Sequence, residues 1–252
     1  MASYDWIACA RDAYLKDAED FLRARALIPS GESVASLLEK WPFHIRTSCK
    51  QDAPEGFSRQ WYGAMGASNI LTNIIDQFSR DYVVAALRPF FVAPHSFSGV
   101  ILDFGCGAAA ISLNWQWSFA PRARLLLADV ENLPREFVRH EIAQHPECLA
   151  EIHDVSLDNV PDRSVDVMLC IDVLEHLSNP SEVFMLLHRK LRSGGLLFIQ
   201  APWGGHPEHV ETALQDWESN GGGKLLELDY NCGSRMNDSI AVSGIYLKKL
   251  VD

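Results

Sequence analysis

The sequence predicts an α/β protein: a mostly parallel seven-stranded sheet with an antiparallel last strand and helices on both faces, preceded by an α-helical cap. Two observations carry this expectation. After residue 97 short apolar runs alternate with helical patterns, whereas the roughly 95 residues before it hold helical periodicity alone. The change of character falls at Pro94-His95-Ser96-Phe97-Ser98-Gly99, so the expected units are a cap over 1–96 and a sheet domain over 97–252.

In the cap, Ile7, Ala10, Tyr14, Ala18 and Phe21 recur at spacings of three and four with charged residues between them, which marks an amphipathic helix over 3–27 that Pro29 ends. A second helix is expected from a Ser30 cap through Val34, Leu37 and Leu38 to Trp41-Pro42. A third runs from Ser68 through Ile70, Leu71, Ile74, Ile75 and Phe78 to Arg88-Pro89. In the second unit the strand candidates are 100–104, 124–128, 149–153, 165–170, 196–200, 224–230 and 239–248, with helices over 108–119, 134–145, 181–191 and 206–219. Strand and helix in alternation are the crossovers a parallel sheet requires. The last two runs are joined only by Asn231 to Asp238, a short polar link containing Gly233, which suits an antiparallel hairpin.

Apolar residues make up 48 % of the chain and charged residues 22 %, so a packed core is expected rather than disorder. A net charge of −11 disfavours a nucleic-acid partner, whose affinity comes from clustered Lys and Arg. No stretch approaches the ~18 apolar residues of a membrane span. The six cysteines show no C-x-x-C spacing and the opening MASYDWIACARDAYLKD has no basic region followed by an apolar run, so a cytoplasmic location is expected. Nothing in the chain specifies an oligomeric state.

The run VILDF leads into Gly105-Cys106-Gly107 and then directly into a helix, so the chain must turn sharply at the carboxyl end of its first strand. Bare backbone there lets a ligand approach closely and meet helix N-terminal amides. Asp129 closes the second run, LLLAD, about 20 residues further on, where an acid binds ribose hydroxyls in dinucleotide folds. A tight turn and a helix-capping acid would give the same pattern without a ligand.

In its order of D-x-G-x-G, LLLAD, HDV, VDVMLCIDVLEHL and LRSGGLLFIQAPW, the chain over roughly 97–252 resembles the class I S-adenosylmethionine-dependent methyltransferases. VLEHL after a V-D-x-x-x-C strand is the more specific part, since nicotinamide-binding Rossmann domains seldom carry it. The resemblance implies a Rossmann-like seven-stranded sheet with an antiparallel last strand, and S-adenosylmethionine as cofactor. It places Asp103 at the cofactor's amino-acid end, Gly105 and Gly107 where they make room, and Asp129 with Val130 at the ribose. Asp154 and the backbone of Val155 would read the adenine, and Ile171 and Asp172 would line the methionine side. Where the family often has a third glycine, this chain has Ala109.

Methyl transfer is a backside displacement in which the protein aligns the reactants, and a base is needed where the acceptor must lose a proton. His176 and His209 are the candidates, one after the fourth strand and one after the fifth. Asp172, Glu175 and His176, at spacings of three and four, together with His206 or His209 also form a donor set for a divalent cation. The small-RNA terminal 2′-O-methyltransferases and the ubiquinone-pathway O-methyltransferases, which this pattern resembles, use such clusters. The E-H pair in VLEHL is also common in enzymes that need no metal, and none is assigned. Between the second and third helices lie Trp41, Phe43, His44, Phe57, Trp61 and Tyr62. As a lid they would stabilise a sulfonium by about 0.5–2 kcal/mol through cation–π attraction, and Trp61 and Tyr62 are placed at the substrate.

The expected activity is methyl transfer to an oxygen or nitrogen atom of a small metabolite. Three alternatives share the cofactor: a cyclase of the azetidine-2-carboxylate synthase type, which releases methylthioadenosine, a metal-assisted 2′-O-methyltransferase, and a non-catalytic cofactor-binding partner of another enzyme.

Overall fold

The computed structural model of the chain describes residues 2–39, 66–79, 97–203, 209–235 and 241–250. The elements are α1 (Ala2–Ala24), α2 (Gly66–Ser79), β1 (Val100–Phe104), α3 (Ala110–Phe119), β2 (Arg124–Ala128), α4 (Leu133–Gln144), β3 (Ala150–His153), β4 (Val165–Ile171), a 3-10 turn (Leu174–His176), α5 (Pro180–Lys190), β5 (Leu191–Pro202), α6 (Ala213–Ser219), α7 (Gly222–Asp229), β6 (Tyr230–Arg235) and β7 (Ala241–Lys248). The strands form one sheet in the order β3-β2-β1-β4-β5-β7-β6. The first five are mutually parallel, and β7 runs antiparallel to both β5 and β6. The predicted sheet and its hairpin are thus present.

Strand side chains alternate between two cores. Ile101, Leu125, Leu127, Val167, Leu169 and Phe198 face α1, α2, α3 and α4. Their neighbours Leu102, Leu126, Met168, Cys170, Leu197 and Ile199 face Phe184 and Leu187 of α5, Trp217 of α6 and Leu226 of α7. Helices therefore cover both faces, and α1 and α2 join the first layer. Tyr14 and Phe21 of α1 meet Phe137 of α4 edge-on, with ring centroids 5.2 and 5.3 Å away. Tyr14, Phe21 and Leu22 are almost completely buried. At roughly 1.5–3 kcal/mol per large apolar side chain, their burial outweighs the ~1 kcal/mol of any single hydrogen bond in holding α1 down.

Three local expectations need correction. The stretch 224–229 is not a strand but most of α7, and the sixth strand starts at Tyr230. Lys, Leu and Glu are strong helix formers, and a buried strand would not leave Leu228 58 % exposed. As a result 231–235, expected as the hairpin link, belong to β6. The cap of the short helical turn at 34–39 is Ser33, not Ser30: the Ser33 hydroxyl accepts the Ser36 N–H at 3.1 Å. The expected continuation of the third helix to Arg88 lies outside the described residues, as do Trp41, Phe57, Trp61, Tyr62 and His206, and of the expected 206–219 helix the described residues 209–212 form a bend and turn, with α6 beginning at Ala213.

Candidate cofactor and catalytic site

The strand order reverses between β1 and β4, and in such sheets the crevice at the carboxyl ends beside that switch point takes the ligand. The glycine turn stands there. Gly105 and Gly107 adopt φ of +71° and +54°, and a Cβ on either would collide with a neighbour, Val173 for Gly105 and Asn73 Oδ1 for Gly107. Ala109, the departure from the family pattern, also sits in the left-handed region at φ 50°. A methyl group there costs about 1–2 kcal/mol, which glycine avoids.

The turn is held from two sides. From β2, Ala128 C=O accepts Gly105 N–H at 2.8 Å, and the Asp129 carboxylate accepts Gly107 N–H and Val130 N–H, both at 2.7 Å. From the helical cap, Tyr14 Oη donates to Ala108 C=O at 2.8 Å and Gln77 Nε2 to Cys106 C=O at 2.9 Å. Gln77 Oε1 in turn accepts Ala110 N–H at 2.7 Å, at the start of α3. Neither Tyr14 nor Gln77 was a site candidate from the sequence: Tyr14 counts there only as one of the periodic positions of the first helix, and Gln77 carries no signal of its own.

Arg135 was missed as well. Asn132 caps α4 by accepting Arg135 N–H at 2.8 Å, and this aims the guanidinium back at the site. Its Nη1 donates to Asp129 C=O at 2.9 Å and stands 3.9 Å from an Asp154 oxygen. Asp154 also accepts Ser156 N–H at 3.2 Å. Thus Asp129 with Val130 and Asp154 with Val155 lie at the adjacent ends of β2 and β3. Asp103, part-buried in β1, is close enough to Cys106 and Cys170 to help burial push both thiols well above their usual range. Neither thiol is a nucleophile at neutral pH.

Burial pushes the Asp129 carboxyl up to about 6, against the pull of the Gly107 and Val130 amides, Arg135 and Asn132. In the role expected of Asp129, a ribose hydroxyl would donate to the ionised form. Cofactor affinity is therefore expected to be flat above pH 7, and to fall about tenfold between pH 7 and pH 5 as the carboxyl takes up its proton. Calorimetric titration across that range checks it, and Asp129→Asn should bind weakly at every pH with the slope gone.

At the end of β4, Ile171 packs on the first core and Asp172 adopts φ 53°, its N–H donating to Gln200 C=O at 2.9 Å. The chain then folds into the 3-10 turn rather than the start of a helix, and this turn carries Glu175 and His176. Val210 N–H donates to Glu175 C=O at 2.9 Å, which brings His209 alongside. The His176 and His209 rings lie edge to face, 5.4 Å between centroids. Donor atoms of Glu175, His176 and His209 all fall within 4.8 Å of one another. Asp172, expected in the same donor set, is not part of that group.

A glycine turn at the switch point of a parallel sheet, with an acid at each neighbouring strand end, is the arrangement in which α/β folds take a nucleoside. A methyltransferase-domain family model matches residues 102–199, the part of the chain that is similar to the S-adenosylmethionine-dependent methyltransferases. The human thiol S-methyltransferase TMT1B is 29 % identical over 121 residues, 46 % of this chain and 45 % of its own length. The chain thus matches about half the length of this curated relative. Among solved structures, a SAM-dependent methyltransferase from Aquifex aeolicus aligns over 66 % of this chain and 89 % of its own, with 18 % identity and a TM-score of 0.49. An S-adenosylmethionine-dependent methyltransferase structure from Methanococcus maripaludis covers 80 % of this chain and 98 % of its own, with 14 % identity and a TM-score of 0.49.

Proposed function

We propose that the chain transfers the methyl group of S-adenosylmethionine to an oxygen or nitrogen atom of a small molecule. The observation that carries this is who occupies the amides of the glycine turn. In dinucleotide enzymes those N–H groups hold a pyrophosphate. Here Gly107 N–H goes to the Asp129 carboxylate and Ala110 N–H to Gln77 Oε1. An anion has no amide to displace them for, and Asp103, Asp129, Asp154 and Asp172 surround the same rim. That field repels phosphate and favours a sulfonium nucleoside bearing an ammonium group.

Bound S-adenosylmethionine supplies a methyl carbon on a positive sulfur. An acceptor that carries a proton would give it to His176 or His209. The chain's own part is to orient the two reactants and to take that proton. The net charge of −11 supports a small acceptor over a nucleic acid, and selection of that acceptor is assigned to the segment 1–96. Trp61 and Tyr62 are assigned to that selection. Among the described residues no helix is long and apolar enough to cross a membrane.

Incubation with S-adenosylmethionine and a panel of amines, phenols and thiols tests this. S-adenosylhomocysteine formed only with an acceptor is the expected result; thiols are included because the human relative's acceptor is one. Methylthioadenosine released without an acceptor would make the chain a cyclase instead. The cluster of Glu175, His176 and His209 favours a metal-assisted variant of the same reaction, in which these residues would hold a divalent cation that acidifies an acceptor hydroxyl. Bound metal in the purified protein, with a rate lost on chelation and restored by Mg2+ or Mn2+, would select that variant.

A further inference from the structure

A second concave site lies away from the cofactor crevice, between α1 and the last turns of α4. Asp17 and Asp20 line it from α1, and His140, Glu141, Gln144 and His145 from α4 and its end. Its volume is about 310 Å³. Glu141 is only 2 % exposed, and among the described residues its carboxylate has no hydrogen-bond or ion-pair partner, although it borders this cavity. It also sits in the last turn of α4, which holds no basic residue, so the negative end of the helix faces the same way. Every nearby feature thus disfavours a lone carboxylate and favours a cation beside it.

The other ionisable groups do not supply that cation. Lys16 pairs with Asp20 at 2.9 Å on the exposed side of α1. His145 is stacked on Trp117, centroids 4.0 Å apart, and its Nδ1 is 3.3 Å from Glu147. His140 lies against Phe21, and the Tyr14 hydroxyl is engaged at Ala108. A bare metal ion is the wrong occupant. The carboxylates of Asp17, Asp20 and Glu141 do not close to the 4.8 Å span within which Glu175, His176 and His209, or His145, Glu147 and Cys148, bring their donors together. A cavity of this size instead falls at the lower end of the range for organic ligands, about 300–1,000 Å³.

We propose that the α1–α4 cavity binds a small aliphatic di- or polyamine, one ammonium group on Glu141 and another on Asp17, the α1 carboxylate at the cavity that Lys16 does not pair. An ammonium offers three N–H donors, enough to satisfy a carboxylate that helix and core leave bare. Burial, with Asp17 adding to it, pushes the Glu141 carboxyl up to about 7. The amine stays protonated across this range, so affinity should rise with pH as Glu141 ionises and level off above pH 8, with a proton released on binding near pH 7.

Calorimetry on the full chain with 1,4-diaminobutane, uncharged 1,4-butanediol and Mg2+ tests the site. Saturable one-to-one binding of the diamine alone is expected, about tenfold weaker at pH 6 than at pH 8. Glu141→Gln should weaken it at least about tenfold and abolish the proton release. The variant Asp17→Asn, at an exposed α1 position, should weaken it with folding untouched. Equal binding of butanediol, preference for Mg2+, or unchanged diamine affinity in the two variants would each overturn the proposal.

Discussion

Gly107→Val is expected to weaken S-adenosylmethionine binding by about 100-fold or more, the ~3 kcal/mol that restoring a strained turn demands at each binding event. Two costs meet at this position. A β-branched residue at φ +54° is a genuine outlier, and its Cβ would occupy the place of Asn73 Oδ1. The free protein escapes by moving the turn, which breaks the bond from Gly107 N–H to Asp129. Binding must then reverse that movement, so the strain appears in the dissociation constant. Gly221→Val separates this from general damage. Gly221 also has a positive φ, +93°, but open space around its Cβ and no part in the crevice. It should lose stability in urea while its cofactor affinity stays within about twofold of the parent.

The same turn shows how much of the site was legible beforehand. Asp103, Gly105, Gly107, Asp129 and Asp154 are readable in the sequence because each closes or follows a short apolar run, and a parallel strand delivers its last residue to one edge of the sheet. What holds the turn was not readable. Tyr14 and Gln77 reach it from helices 94 and 29 positions upstream of the carbonyls they bond, and no local period encodes a contact at such separations. Arg135 had a signal that went unused. Asn132 followed by Leu133-Pro134 is a helix start, and the third residue after such a cap is held by it. The misread strand at 224–229 has the opposite cause. Apolar residues alternating with Glu227 satisfy a period of two over six positions, too short to outvote the helix propensity of Lys, Leu and Glu once Trp217 offers Leu226 a place to pack.

Replacing His176 and His209 together by alanine is expected to lower kcat by about 10²–10⁴-fold, the range of a positioned general base, with the cofactor's dissociation constant nearly unchanged. The split follows from where the pair stands. The residues proposed to bind the nucleoside stand at the ends of β1, β2 and β3, while the histidines rise from the segments after β4 and β5 on the far side of the switch point. Each single variant should retain much more activity than the product of the two losses implies, because the rings touch and either can take up the other's task. An acceptor that arrives already deprotonated, such as a thiolate, has no proton to give. With it the double variant should keep most of its rate, whereas an amine or phenol acceptor shows the full loss. A uniform loss across all acceptors, accompanied by weaker cofactor binding, would mean that the pair shapes the crevice and moves no proton.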